Sequence, residues 1–276
     1  ITRIGMQVVV TPPITLFVLD MIHRMGVAQQ TIRIIGVFDN QVKLIKYDYA
    51  KSTLLGTDGD YYNTYSGIGW DSSSYGTNKG NNDKTEIGVY YWNYSNENNS
   101  TNTWSESRLN TTNLNTNYLN NIGTNWSNKI ATHAWKIGGN TWDNIGVSVP
   151  QMAYTNEITS PAENTTYDAK IGLMYVSDYY YAAESKIWGK TAYDYRSFTS
   201  INWMYMGLED WAITRVSNVS NDAFYANEYG YVFYCGVLDR NNVSYYSFAI
   251  RPCFYLNSNV TYKSGAGTIS SPFIIE

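Results

Sequence analysis

Two histidines, 23 carboxylates and two cysteines are what this sequence offers for reaction chemistry. His23 and His133 stand in unrelated contexts, so neither a three-histidine iron site nor a two-histidine zinc site on one helix can be built from them. His133, in Ala-Thr-His-Ala-Trp, reads as a packed or capping residue. There is no Gly-x-Ser-x-Gly elbow, and no spacing ties His133 to a serine and an aspartate. Gly138-Gly139-Asn140 is not followed by the Lys-Ser/Thr that a phosphate loop needs. Asp58-Gly59-Asp60 opens like a calcium loop, but the acidic pattern stops and the closing Glu is missing. Glu209-Asp210, beside Trp211, comes nearest to a glycosidase pair. Neighbouring residues on a strand point to opposite faces, so the pair reads as an acidic turn rather than a shared cleft. The sequence therefore predicts no catalytic residue, no metal ligand and no cofactor.

What remains is recognition by neutral polar and aromatic side chains. Only 15% of the residues are charged, whereas Tyr numbers 27 and Asn 30. Such side chains can cover a surface without charge, as antibody paratopes do, although an AT-rich genome gives the same bias. The densest stretch is Asn221–Ile250, where aromatics alternate with small and polar residues. Its candidate ligand contacts are Tyr225, Asn227, Tyr229, Tyr231, Phe233, Tyr234, Asp239, Asn241, Asn242, Tyr245 and Tyr246, with Tyr180 and its neighbours Tyr179 and Tyr181 at the border. A hairpin whose alternate aromatics fill a core is the competing reading, and both can hold on opposite faces. The window contains no Lys, Gln, Met or Trp and one Glu, Glu228. That depletion is what adenine-directed mutagenesis of Asn codons would leave.

The elements that must position these residues are unevenly legible. Thr31–Phe38, a turn at Asp39-Asn40 and Gln41–Tyr47 read as a hairpin. Ile14–Met25 is a short strand or helix without a clear period, after a possible strand at Gln7–Thr11. Gly56–Ser100 reads as an ordered, loop-rich surface because its aromatics are too many for a disordered linker. Ser105–Ile122 predicts a helix with Leu109, Leu114, Tyr118, Leu119 and Ile122 on one face. Its many Asn residues weaken it, so it must lean on tertiary packing. A shorter helix is expected over Asn125–His133. Strands are expected at Trp203–Leu208, Trp211–Arg215, Ala223–Tyr225, Gly230–Tyr234, Phe248–Leu256 and Thr268–Ile275, after a compact apolar segment at Lys170–Val176. A helix-containing first half and a strand-rich second half give an α+β class. Cys235 and Cys253 make no disulfide framework, and they can pair only if their Cα atoms come within about 7 Å.

Gly172-Leu173-Met174-Tyr175-Val176-Ser177-Asp178-Tyr179, Asn202-Trp203-Met204-Tyr205-Met206-Gly207-Leu208 and Ala223-Phe224-Tyr225 resemble an uncharacterised bacterial exported-domain family. Ile250-Arg251-Pro252, Phe254-Tyr255-Leu256-Asn257-Ser258 and Gly265-x-Gly267-Thr268 extend the resemblance, as do Ile34-Ile35-Gly36-Val37 and the Trp104–Leu119 segment. That family is similar to the C-type lectin-like fold in its formylglycine-generating-enzyme branch, which the variable proteins of diversity-generating retroelements use. The resemblance implies a C-type lectin-like domain over residues 31–276, with 1–30 as an N-terminal extension. It also implies a variable surface over residues 225–248, just before the closing Ile250-Arg251-Pro252. The calcium-dependent sugar motifs Glu-Pro-Asn and Gln-Pro-Asp are absent, and Cys235 and Cys253 do not copy the enzyme branch's copper-binding cysteines.

These readings predict a non-catalytic bacterial binding protein, secreted or displayed at the cell surface, whose partner is a protein or glycan on another cell or surface. The net charge of −4 and the scattered Lys and Arg give no basic stripe for nucleic acid. No apolar run reaches the roughly 20 residues of a membrane span. The chain starts at Ile1, which reads as a processed or truncated end. The alternative is a subunit of a pilus, sheath or surface layer that self-assembles through residues 1–30.

Overall fold

The computed structural model describes residues 16–19, 30–65, 75, 83–94, 101–141, 143, 148–161, 163, 165–236, 247–267, 271 and 273–276. In chain order the strands are β1 (Leu16–Leu19), β2 (Gln30–Phe38), β3 (Gln41–Lys46), β4 (Tyr61–Thr64), β5 (Gly88–Tyr91), β6 (His133–Lys136), β7 (Thr166–Ala169) and β8 (Ile171–Gly172). They continue with β9 (Asp210–Arg215), β10 (Asp222–Ala226), β11 (Val232–Gly236), β12 (Ser247–Phe248), β13 (Cys253–Tyr255), β14 (Tyr262–Ser264) and β15 (Ile274–Ile275). With short helices between them, the chain is of the α+β class.

The main sheet has the order β1-β2-β3-β13-β8 and is antiparallel throughout. Its seed is the predicted hairpin. Asp39 and Asn40 both take left-handed backbone, at φ 49° and 64°, which is the tight turn whose twist matches the flanking strands. The C-terminal β13 then inserts between β3 and β8, setting Cys253 beside Ile45 and Phe254 beside Leu44. Of the expected N-terminal extension, Leu16–Leu19 joins the edge of this sheet against β2, and Gln7–Thr11 lies outside the described residues.

Lys43, on β3, is a buried cation of this sheet. Lys43 donates to Asp178 at 2.5 Å and lies 4.2 Å from the Tyr175 ring centroid. Burial works against the charge, but Asp178 and then Tyr175 outweigh it and hold the ammonium above its ordinary range. Glu157 is also fully buried and caps the helix Val176–Tyr181. It accepts from the Val176 and Ser177 backbone N–H groups at 2.9 and 3.0 Å, and from the Thr214 hydroxyl. Glu157 thereby satisfies two orphan N–H groups of a helix start, yet burial still pushes it up to about 7.

The predicted helix at 105–122 exists, but not as an ordinary α-helix. A 3-10 turn at Trp104–Glu106 leads into a π-helix over Leu109–Tyr118 and an α-turn at Leu119–Asn121. Leu109, Leu114, Tyr118 and Ile122 are buried as predicted. The asparagines supply the tertiary support. Asn113 donates to the Leu55 and Asp58 carbonyls at 2.8 and 3.1 Å and accepts from the Asp60 N–H at 3.0 Å. Asn115 both donates to the Ile171 carbonyl and accepts from the Ile171 N–H, each at 2.9 Å, as a neighbouring strand would. Asp60, from the calcium-like triplet, is spent on the Leu109 N–H at 2.9 Å and on Arg108 at 3.1 Å.

Several expectations need correction. The second helix is shorter, Thr124–Ser127, and His133 instead opens β6, stacked on Tyr255 with centroids 3.8 Å apart. Trp203–Leu208 is not a strand. Met204, Met206 and Leu208 are buried alternately as a strand's would be, but the backbone is held in a turn. Tyr205 N–H donates to the Asn202 carbonyl at 3.2 Å, and the Asn202 amide donates to the Tyr179 carbonyl at 3.1 Å. The 248–256 stretch is split into β12 and β13 by Ile250-Arg251-Pro252. Both cysteines are free, Cys235 on β11 and Cys253 in the main sheet. Most of the Gly56–Ser100 stretch between β4 and β5 lies outside the described residues.

Candidate functional site

A three-stranded antiparallel sheet, β11-β10-β9, carries the tyrosine-rich window. Beneath it lies Trp211 of β9, fully buried, whose indole N–H donates to the Tyr90 carbonyl at 2.8 Å. Tyr225 and Phe248 close over that ring, with Trp211–Phe248 and Tyr225–Phe248 centroids 4.5 and 4.4 Å apart. This buried aromatic floor fixes the register, in which Tyr225 faces Phe233 and Phe224 faces Tyr234.

The turn between β10 and β11 is tied down from three sides. Asn227 accepts from the Tyr229 N–H at 2.8 Å through its side chain, and its own N–H donates to the Tyr231 carbonyl at 2.8 Å. The Tyr205 hydroxyl donates to the Glu228 carbonyl at 2.7 Å, and the Tyr179 hydroxyl donates to the Gly230 carbonyl at 3.0 Å. Gly230 has φ 91°, and a Cβ there would lie 2.3 Å from the Thr199 methyl, so only glycine fits.

Along the edge strand β11 the rings form a connected row. Tyr193 meets Tyr231 at 5.5 Å, Tyr231 meets Phe233 at 6.2 Å, and Phe233 stacks on Tyr234 at 5.0 Å. Tyr193 is 44% exposed and Tyr229, on the turn, 63%, while Tyr231, Phe233 and Tyr234 are half-buried. Tyr193 comes from the 3-10 helix Ala192–Ser197, which starts at a reciprocal cap between Thr191 and Asp194.

Of the twelve residues expected at the surface, Tyr229, Tyr231, Phe233 and Tyr234 lie together on it. Tyr225 and Asn227 belong to its support and are almost fully buried. Tyr180 does not border the surface. It is completely buried and packs on Tyr195 at 4.9 Å, because its helix turns that side inward. Asp239, Asn241, Asn242, Tyr245 and Tyr246 lie outside the described residues. Sequence reading missed Tyr193, although the Thr191-x-x-Asp194 spacing that positions it is a recognisable helix-start signal.

The reading of Glu209-Asp210 as an acidic turn is overturned, since Asp210 opens β9 and both residues are buried, at 3% and 1%. Asp210 receives Arg251 Nε at 2.6 Å, in an ion pair that is itself buried. Burial pushes Asp210 up to about 6 although Arg251 pulls it down. Glu209 turns instead to Glu228 and the Tyr65 hydroxyl. Burial first, and then the facing Glu228 carboxyl, push Glu209 up to about 8. Among the described residues no three metal-ligating side chains converge, and no helix is long and apolar enough to cross a membrane.

Compared with family models, curated proteins and solved structures, the chain matches none.

Proposed function

We propose that the protein is a non-catalytic binding domain, exported or displayed at a bacterial cell surface, that takes a protein or glycan ligand on the ring row Tyr193–Tyr231–Phe233–Tyr234 and the adjoining Tyr229. The observation that carries this reading is the row itself. Large side chains with few rotors stand half out of the surface on a sheet locked from beneath by Trp211, Tyr225 and Phe248. Aromatic rings on a rigid support lose little entropy on binding and can dominate an interface. The resemblance to C-type lectin-like variable proteins, and the idea that residues 225–248 differ between copies of the gene, belong to the same proposal. The depletion of Lys, Gln, Met and Trp in the window supports it.

The test is a glycan array and a displayed peptide library, probed with the wild-type protein and with a Tyr193→Ala, Tyr231→Ala double variant. At least one reproducible binder is expected, with its signal about ten-fold weaker for the double variant. Binding should change little between low and high salt, because burial and hydrogen bonds carry it rather than ion pairs. A steep loss with salt, or a binder indifferent to both substitutions, would remove the ring row as the site. Deleting residues 1–15, which spares β1 in the main sheet, separates off the filament-subunit alternative, in which assembly through the N-terminal segment fails while the domain stays folded.

A further inference from the structure

The main sheet holds a buried amine that binding on the ring row does not use. Lys43 on β3 has its Nζ 2.5 Å from Oδ2 of Asp178, which lies 135 residues further on, in the first turn of the helix Val176–Tyr181. The two side chains are 1% and 5% exposed. Rings wall the nitrogen, with the centroids of Tyr175, Trp135, Tyr255 and Phe38 at 4.2, 5.4, 5.6 and 5.8 Å. A nitrogen so close to a carboxylate oxygen lies about 3–3.5 Å from the carboxyl carbon, the spacing of a near-attack pair. Both hydrogen bonds to this carboxylate fall on Oδ2, from Lys43 and from the Tyr175 N–H at 2.7 Å. Among the described residues, none engages Oδ1. The other buried cations are placed differently. Lys46 donates to the Asp48 and Tyr49 backbone carbonyls, and Arg251 meets Asp210 with a guanidinium that stays charged and does not attack.

We propose that Lys43 and Asp178 condense into an intramolecular amide that ties β3 to the helix Val176–Tyr181. Nζ attacks Cγ, so the N–Cγ bond forms and the Cγ–Oδ1 bond breaks. Two of the three ammonium protons leave with Oδ1 as water, and the third stays on the amide nitrogen. Oδ2 becomes the amide carbonyl and keeps the Tyr175 N–H. No oxidant, cofactor or outside group enters the balance. The charged pair is the resting form, and the first proton crosses the hydrogen bond that already joins the amine to the carboxylate, which frees the attacking lone pair. Two properties of the site favour the product. Well-oriented intramolecular pairs reach effective concentrations on the order of 10⁵ M or more. Condensation also replaces two buried charges by a neutral amide and so removes the desolvation cost of the ion pair, in a place shielded from the water that would reverse it.

The experiment is an intact mass of the folded full chain, followed by a tryptic map. The mass is expected to fall short of the sequence by one water. The map should contain a branched peptide in which residues 34–46, uncut at the acylated Lys43, are joined to residues 171–186. Lys43→Arg, which keeps the charge and cannot condense, should restore the full mass. A folded wild-type chain at its full linear mass overturns the proposal. So does a deficit that persists in Lys43→Arg, or one that maps to a cyclic imide at Asp58-Gly59. If Lys43→Arg does not fold, the presence or absence of the branched wild-type peptide decides. No ligand takes part, so the outcome is independent of the ring row.

Discussion

Residues 104–122 and 222–236 draw on the same polar and aromatic palette, yet they put it to opposite uses. In the first segment the polar groups turn inward. Asn110 donates to the Trp104 carbonyl at 3.0 Å, Asn113 joins three backbone groups of the 55–60 loop, and Asn115 pairs with both sides of Ile171. In the second segment the backbone does its own bonding through the β9-β10-β11 ladders, and the side chains are left free to build a floor and an outer row. An abundance of Asn and Tyr is therefore not one property. The asparagines here hold loops that have no ladder, while the outer tyrosines cap a sheet that is already closed.

The comparison is broken most directly at Asn113. Asn113→Ala strips the Asp60 N–H of its partner and takes one donor each from the Leu55 and Asp58 carbonyls, although Asn117 still reaches Leu55 at 3.0 Å and the Tyr61 N–H still reaches Asp58 at 3.2 Å. A destabilisation of about 3 kcal/mol is expected in denaturant unfolding. If the loss stays below about 1 kcal/mol, the inward asparagines are ornamental and the contrast fails.

Next in size is the one position where the tyrosine-bearing hairpin depends on its backbone. Gly230→Ala must hold φ near 91° and move the Thr199 methyl away, and a cost of about 2 kcal/mol is expected. A neutral result would mean that the turn is looser than its three tethers imply.

A third test sharpens the contrast through pH. Glu209 ionises near 4.5 in an unfolded chain and near 8 in the folded one, so the unfolded state releases its proton first. The stability this group contributes is complete below about 4.5 and falls away as pH rises towards 8. Glu157, held up near 7, acts in the same direction. His133 acts oppositely. Burial lowers it to about 4, so its contribution is present above 6.5 and is lost as pH falls towards 4. Thermal midpoints should therefore decline from pH 6.5 to 8 in the wild type and decline less in Glu209→Gln. Parallel curves for the two proteins would show that Glu209 does not titrate in this window.

How far the sequence foretold this depended on where the determining partner lay. The β2–β3 hairpin was legible because Asp39-Asn40 specify their own turn, and Asp210–Arg215, Asp222–Ala226 and Val232–Gly236 fall close to the expected strands. The place of the 105–122 helix could be read from Leu109, Leu114 and Tyr118. Its π winding could not, because it accompanies asparagine bonds to a loop and a strand 58 and 56 residues away in sequence. Trp203–Leu208 failed for a related reason. Its inward alternation is real, but Asn202 replaces the ladder with side-chain bonds. Glu209 looked like half of an acidic turn because its true neighbour is Glu228, brought close only by the hairpin. In the site, the four outer residues of the window were visible as aromatic density. Tyr193 was hidden in a separate 3-10 turn, and Tyr180 was misjudged because a helix, unlike the strand beside it, turned it inward.

The smallest expected effect is the most discriminating. Tyr229 is 63% exposed, and its N–H is held by the Asn227 side chain whatever occupies position 229. Tyr229→Ala should leave the melting temperature within about 2 °C of wild type, because the floor, the ladders and the turn's tethers are all retained. Any binder found on the ring row should nevertheless be weakened by the same change. A residue that costs nothing in stability and something in binding marks a surface kept for recognition. If instead Tyr229→Ala lowered the melting temperature as much as Asn113→Ala, the tyrosines would be scaffold as the asparagines are, and the division between the two regions would dissolve.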